Sequence, residues 1–279
     1  MTTRSIAPGI WSIEVPLPPD TLPILTRCYV FAADGGIDLV DPGWHTDEAR
    51  QQLEEGLAGL GFGLDAVRTV AATHRHDDHV GQAGRVRDRS GAMVALGRAD
   101  AVELPFEIDV LLDDGDEIVL GGYRVVAVAT PGHTPGSMSF DVPDAGLLLT
   151  GDTVLPIINP GIGLGLGGAA NPIRDYLASL ERIAVGFGDR VGLPGHGDPI
   201  EDLAGRAREL AAHHRQRTDA VAAALREHPG ATPAELAPHL TWTGGWENLG
   251  PLQESAVRQT GWHLDLVADR GVATEPADS

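Results

Sequence analysis

The chain is 279 residues long and 42% hydrophobic, enough for one large core or one core plus a small second domain. Its 40 acidic residues outnumber its 20 basic ones, for a formal net charge of −20, and a field of that sign repels polyanions, which weighs against nucleic-acid binding. No apolar run is long enough for a membrane span, the first residues lack the apolar stretch of a signal peptide, and the single cysteine, Cys28, cannot form an intramolecular disulfide, so a cytoplasmic location is expected.

In chain order, residues 9–15, 26–33 and 37–41 read as an opening β-meander. Cys28 falls in the apolar run 28–31, where a small buried core residue is expected. Residues 47–60 read as an amphipathic helix with Leu53, Leu57 and Leu60 on one face and Gly61 as its stop. A strand at 67–72, a helix at 81–89 and a short buried strand at 92–96 follow. Residues 118–120, 123–129, 137–142 and 147–150 form a second meander, then a helix at 173–185 and a last strand at 190–193. This periodicity supports a mixed α/β domain, and two meanders are compatible with the halves of a sandwich.

After Pro199 the texture changes. Residues 201–227 are rich in Ala, Leu, Arg and Glu and read as a long helix ended by His228-Pro229-Gly230. Thr232-Pro233-Ala234-Glu235 has the pattern of a helix N-cap, with proline first inside and a reciprocal glutamate. A short helix to residue 240, a Trp/Gly loop at 241–250 and a further helix at 252–269 complete the tail.

The chemistry concentrates in Thr73-His74-Arg75-His76-Asp77-Asp78-His79. Three imidazoles and two carboxylates fall in seven residues at the end of a strand-like run. These are the ligand types that hold zinc and its first-row neighbours. His74 and His76, two apart on an extended segment, would point to the same side. Asp78 and His79 follow where the chain turns away. Three more candidates each close an apolar run within a Gly- or Pro-containing turn: His133 in Pro131-Gly132-His133, Asp152 in Thr150-Gly151-Asp152, and His196 in Pro194-Gly195-His196. A single such histidine is an ordinary turn residue; the series in order is not.

The order HxHxDH, His133, Asp152, His196, with Val40-Asp41-Pro42-Gly43 upstream, closely resembles the metallo-β-lactamase superfamily over about residues 8–200. The resemblance implies an α/β fold: a four-layer αββα sandwich over 1–200, with the metal site at the edge between two sheets. It implies that His74, His76 and His133 bind a first metal and that Asp78, His79 and His196 bind a second. Asp152 would bridge both, and Asp41 would orient ligands by hydrogen bonds. Asp78 and Asp152 would be the catalytic carboxylates. The cofactors would be two divalent ions, zinc first, with iron or manganese acceptable to the same ligands. The region 201–279 more loosely resembles the small helical, winged-helix-like tail of some hydrolases of this fold. Its acidity and few arginines point to packing or dimerisation.

In such a site two ions sharing one water would generate hydroxide at neutral pH, which attacks an electrophilic carbonyl or phosphorus. The aspartate at 152 resembles the glyoxalase-II-like, lactonase and phosphodiesterase branches and argues against penicillin hydrolysis. The favoured expectation is hydrolysis of a thioester, ester or lactone of a small-molecule substrate. An endoribonuclease of the same fold and a mononuclear iron persulfide dioxygenase are the alternatives. Residues 156–171, with glycine at nearly every second position and Ile or Leu between, read either as a pliant apolar wall of the substrate pocket or as a structural crossover.

Overall fold

The structure is a computed structural model, and it describes residues 3–19, 21, 24–164 and 171–271. Seven strands form one sheet in sequential order: β1 Thr3–Ala7, β2 Ile10–Pro16, β3 Leu25–Ala33, β4 Gly36–Val40, β5 Val67–Ala72, β6 Met93–Gly97 and β7 Val110–Leu112. Five more form a second sheet: β8 Glu117–Leu120, β9 Tyr123–Ala129, β10 Met138–Val142, β11 Leu147–Gly151 and β12 Val191–Pro194. Strands β1 to β4 pair antiparallel and β4 to β7 parallel. In the second sheet only β11 and β12 are parallel.

Side-chain alternation along the strands explains the layering. On β3, Tyr29 and Phe31 face a cluster that also holds Leu120, Val125, Phe140 and Leu149 of the second sheet. Cys28 and Val30 point the other way, into a cluster with Leu53 and Leu57 of helix α1 (Asp47–Gly59) and Val86 of α3 (Ala83–Ser90). On β11, Leu147 and Leu149 face the inter-sheet core, whereas Leu148 faces α4 (Pro172–Gly186) and α5 (Leu203–Glu227). Strands buried on both faces need apolar residues at successive positions, and β3 (Cys28 to Phe31) and β11 (Leu147 to Leu149) carry them, whereas β4 and β10 also bury polar residues, Asp38, Ser139 and Asp141. The result is the expected αββα order. Cys28 is fully buried, and burial with the nearby Asp41 charge pushes its thiol up.

Three details differ from the sequence reading. The sheet begins with β1, whose register opposes Thr3 to Ile13; it is exposed along much of its length and offers little apolar alternation. The edge strand β7 is only three residues long. The helix expected at 81–89 is α3, and a separate short helix, α2 (Asp77–Val80), precedes it; the two are parted where Gln82 turns its backbone N–H to Gly43 O (3.1 Å) and its side-chain amide to Pro42 O (3.0 Å). That break frees α2 to aim independently of α3.

The tail comprises α5, α6 (Pro233–Leu236) and α7 (Gln253–Asp269). Thr232 and Glu235 form the reciprocal cap that their spacing predicts. The first half of α5 (Leu203, Ala207, Leu210) shares a core with α4, and its second half (Val221, Leu225) packs with Leu236 and Val267. The described residues of the tail contain no strand, so its winged-helix likeness stops at the helices. No helix among the described residues is long and apolar enough to cross a membrane. Residues 165–170 of the glycine-rich loop and 272–279 of the tail lie outside the described residues.

Candidate metal centre

All seven predicted ligands meet at one rim, where strands of both sheets end. Asp41 follows β4, His74 and His76 follow β5, His133 lies in the β9–β10 turn, Asp152 follows β11 and His196 follows β12. Asp78 and His79 stand on α2. That four-residue helix turns the chain at once, so residues adjacent in sequence reach different points.

Three ring nitrogens converge first. His74 Nε2 is 2.9 Å from His76 Nδ1, and His133 Nε2 is 3.2 and 3.0 Å from those two. Tetrahedral zinc with nitrogen ligands at about 2.0–2.1 Å spaces them about 3.3 Å apart. Three aromatic nitrogens facing one point have no mutual hydrogen-bond pattern that satisfies all of them, whereas a cation does.

A second group lies beside it. His196 Nε2 is 3.2 Å from Asp78 Oδ2, and His79 Nε2 is 3.6 Å from the same oxygen. Asp152 lies between the groups: Oδ2 is 3.4 Å from His196 Nε2 and 3.6 Å from His133 Nε2, and Oδ1 is 3.5 Å from His79 Nε2. His79 Nε2 and Asp152 Oδ1 are buried without a hydrogen-bond partner, an arrangement that is costly unless something else satisfies them. Three sets could each hold an ion: His74, His76 and His133; His74, His79 and Asp152; Asp78, His79 and His196. Gly195 keeps the space open, since a Cβ there would stand 2.5 Å from His79 Cε1 and 2.6 Å from Asp152 Oδ1.

The outer nitrogens fix which atom each imidazole presents. His79 Nδ1 donates to Asp41 Oδ2 (2.9 Å), His133 Nδ1 to Gly161 O (2.6 Å) and His196 Nδ1 to Leu25 O (2.7 Å). Each bond holds a proton on Nδ1 and aims Nε2 inward, the usual arrangement around a metal. Asp41 has φ of 55°, a conformation costly for most residues other than glycine and tolerated by aspartate. Its carboxylate also accepts Thr73 N–H (2.7 Å) and Thr73 Oγ1–H (2.8 Å), and Thr73 Oγ1 is 3.1 Å from His74 Nδ1. Asp41 therefore orients both groups.

Sequence reasoning missed one further carboxylate. Asp100 is fully buried and accepts from Arg75 N–H (3.1 Å), Thr134 Oγ1–H (2.6 Å) and Gly136 N–H (2.7 Å). It ties the HxHxDH loop to the loop of His133. Arg-Ala-Asp at the end of a strand carries no recognisable signal for this. The carbonyls of Leu25 and Gly161 were equally hidden, because a carbonyl's partner depends on the fold and not on residue type.

The two groups differ in charge. Burial and the facing His79, His133 and His76 rings hold His74 well below the ordinary histidine range. Burial, with His133 and His79, takes His76 to about 4, and burial lowers His133 despite Asp152. In the second group burial opposes protonation, but Asp78, Asp152 and Asp41 outweigh it and push His79 up to about 9. Asp152 and Asp78 likewise raise His196 to about 10 against its burial. Burial alone would raise Asp152, yet His79 and His196 hold it well below the carboxylate range; Asp78 is lowered by the same two residues.

Comparison with known proteins matches this architecture. The metallo-β-lactamase superfamily matches residues 22–196, well over half the chain. A metallo-β-lactamase family protein from Thermus thermophilus superposes with a TM-score of 0.80 at 30% identity, covering 96% of this chain and 95% of that one. A β-lactamase domain protein from Burkholderia ambifaria superposes equally well, TM-score 0.80, at 24% identity over 96% and 89% of the two chains, a likeness of fold. Curated relatives include hydroxyacylglutathione hydrolases of Brucella anthropi, 33% identical over 52% of each chain, and of Cereibacter sphaeroides, 32% identical over 50% of this chain and 53% of that one. This chain thus spans about half the length of the curated relatives it matches. With the fold, the ligand rim and these matches in agreement, the chain belongs to the metallo-β-lactamase superfamily, whose members bind divalent metals.

Proposed function

We propose that the chain is a dinuclear metal-dependent hydrolase of small thioesters, esters or lactones. The observation that carries this reading is the position of Asp152, whose two oxygens lie 3.4–3.6 Å from Nε2 of His196, His79 and His133. In this reading His74, His76 and His133 hold one ion, Asp78, His79 and His196 hold the other, and Asp152 joins them; zinc suits the nitrogen and carboxylate donors. When bound, two such ions supply a nucleophile at neutral pH and polarise the scissile carbonyl.

The protein's own groups do the rest. Asp41, Gly161 O and Leu25 O keep the imidazoles in the tautomer that points Nε2 inward. Asp78 and Asp152 remain ionised at neutral pH, so they accept hydrogen bonds from the attacking water and orient its oxygen toward the carbonyl carbon. Attack forms the C–O bond, the C–S or C–O bond to the leaving group breaks, and the leaving thiol or alcohol takes up the water's proton.

Two features support an apolar acyl group over a glutathione-specific site. Ile157, Ile158 and Leu164 are exposed on the segment that leads to and touches the His133 loop, and apolar side chains gathered beside a polar centre mark a binding surface more often than scattered ones do. The chain also contains no lysine, all 20 of its basic residues being arginine, and Arg27 and Arg206 near the rim are bound to Glu14, Asp198, Leu155 O and Ile158 O. The net charge of −20 supports the absence of a nucleic-acid partner.

A screen of the zinc-loaded protein against acyl thioesters with and without glutathione, lactones, phosphodiesters and RNA tests the assignment. Turnover of thioesters or lactones, with longer acyl chains preferred, is expected. Turnover confined to RNA or phosphodiesters would overturn it.

A further inference from the structure

Trp262 stands on α7 in the tail, yet its ring lies against the segment that orients His133. A Cβ added at Gly163 would fall 2.4 Å from Trp262 Cη2 and 2.8 Å from Cζ3. The indole edge fills the place where a side chain would be. On its far side the same segment is bonded to the His133 loop: Gly163 N–H donates to Gly132 O (2.8 Å) and Leu164 N–H to His133 O (2.8 Å). Gly161 O accepts His133 Nδ1–H at 2.6 Å. Ile162, between them, is 2% exposed, and Trp262 and Leu266 pack against the cluster that contains it. Residues 161–164 are thus one layer of backbone between an indole and a predicted metal ligand.

Asn171 adds a latch. It is 3% exposed, its amide donates to Trp262 O (2.8 Å) and Asp265 Oδ2 (3.1 Å), and its carbonyl oxygen accepts Arg174 N–H (3.1 Å) to cap α4. Arg174 also pairs with Asp269 at the end of α7.

We propose that Trp262 is a positioning residue for the metal centre, acting through Gly163 and Gly161 O on the His133 imidazole. The proposal rests on the reading of His74, His76 and His133 as metal ligands. Glycines at 161 and 163 give the segment little stiffness of its own, so the carbonyl that fixes His133 needs a wall behind it. The other two oriented imidazoles do not depend on the tail: His79 leans on Asp41 and His196 on Leu25 O. Loss of the indole should therefore act on one metal group and spare the other.

The test is titration of the full-length, metal-stripped protein with Co²⁺, followed by visible absorbance and calorimetry. Wild type, Trp262→Ala, Trp262→Leu, Trp262→Phe and His133→Ala are compared. Trp262→Ala should weaken the His133 group about 10- to 100-fold, as loss of ligand-orienting contacts generally does, while the Asp78 group keeps its affinity. Trp262→Phe, which still covers Gly163, should recover most of the loss. Trp262→Leu keeps apolar bulk on α7 without a flat ring and should fall between, which preserves the test if the alanine variant melts early. Unchanged Co²⁺ binding in Trp262→Ala and Trp262→Leu would overturn the proposal. So would equal weakening of both groups alongside a lower melting temperature of the metal-free protein, which marks packing alone. A wild-type titration identical to that of His133→Ala would instead remove the metal-centre reading itself.

Discussion

His74, His76 and His133 converge with no carboxylate of their own, whereas Asp78, His79 and His196 interleave acid with base. The first group gathers neutral nitrogens: burial and mutual repulsion keep those rings unprotonated, with His76 down to about 4. The second is internally charge-balanced, with His79 at about 9 and His196 at about 10 beside ionised Asp78 and Asp152. The difference has a physical lesson. An all-imidazole group is ready for a cation but gains nothing from its own members, while the mixed group already has protons as counter-ions and must release them to take a metal. Asp152 is the residue through which the two arrangements meet.

The largest effect should come from removing that link. Asp152→Ala deprives both groups at once and should lower kcat/KM by more than about a hundredfold, beyond the usual cost of losing a ligand-orienting contact, with a circular dichroism spectrum like that of wild type. Steady-state kinetics on the folded variant checks this, and near-normal turnover would refute the joining role. Asp41→Asn should separate the groups. The amide can accept from His79 Nδ1–H or receive Thr73's donors, but it cannot match all three bonds of the carboxylate. Metal affinity of the Asp78 group should drop about 10- to 100-fold, with a smaller change at the His74 group, read by competition with a chelator.

The pH dependence should be the gentlest discriminator. His79 and His196 have pKa values raised above the ordinary histidine value, so they are protonated below about 9 and 10 and compete with metal there. Affinity of their group should rise with pH through neutrality toward 9–10, by up to about tenfold per pH unit for each proton released. The His74 group, whose rings are all lowered, should change less over the same range. By the same sign, the stability these two protonated rings lend the metal-free protein is complete below about pH 6.5 and lost as pH rises through 9–10. Proton release measured in two buffers of different ionisation enthalpy checks the first part.

Much of this was legible in the sequence for a specific reason. Ligand types and their turn settings are local, so HxHxDH, His133, Asp152 and His196 could be picked out before any fold was known. Likewise Thr232 and Glu235 announce their cap by spacing alone. What stayed hidden depends on the fold. Asp100 looks like any aspartate after a strand, and the roles of Leu25 O and Gly161 O reside in carbonyls common to every residue. Strand β1 is exposed and weakly alternating, and the break between α2 and α3 comes from Gln82 bonding across to Pro42 and Gly43. The seat of Trp262 on Gly163 joins positions about a hundred residues apart.

The central claim is that two metal groups share one carboxylate. It is tested most directly by plasma-emission analysis of the fully loaded, dialysed protein, with anomalous diffraction to place the ions. The account predicts two ions per chain, one among His74, His76 and His133, the other among Asp78, His79 and His196, with Asp152 contacting both. At most one ion at saturation, or two that do not share Asp152, would contradict it.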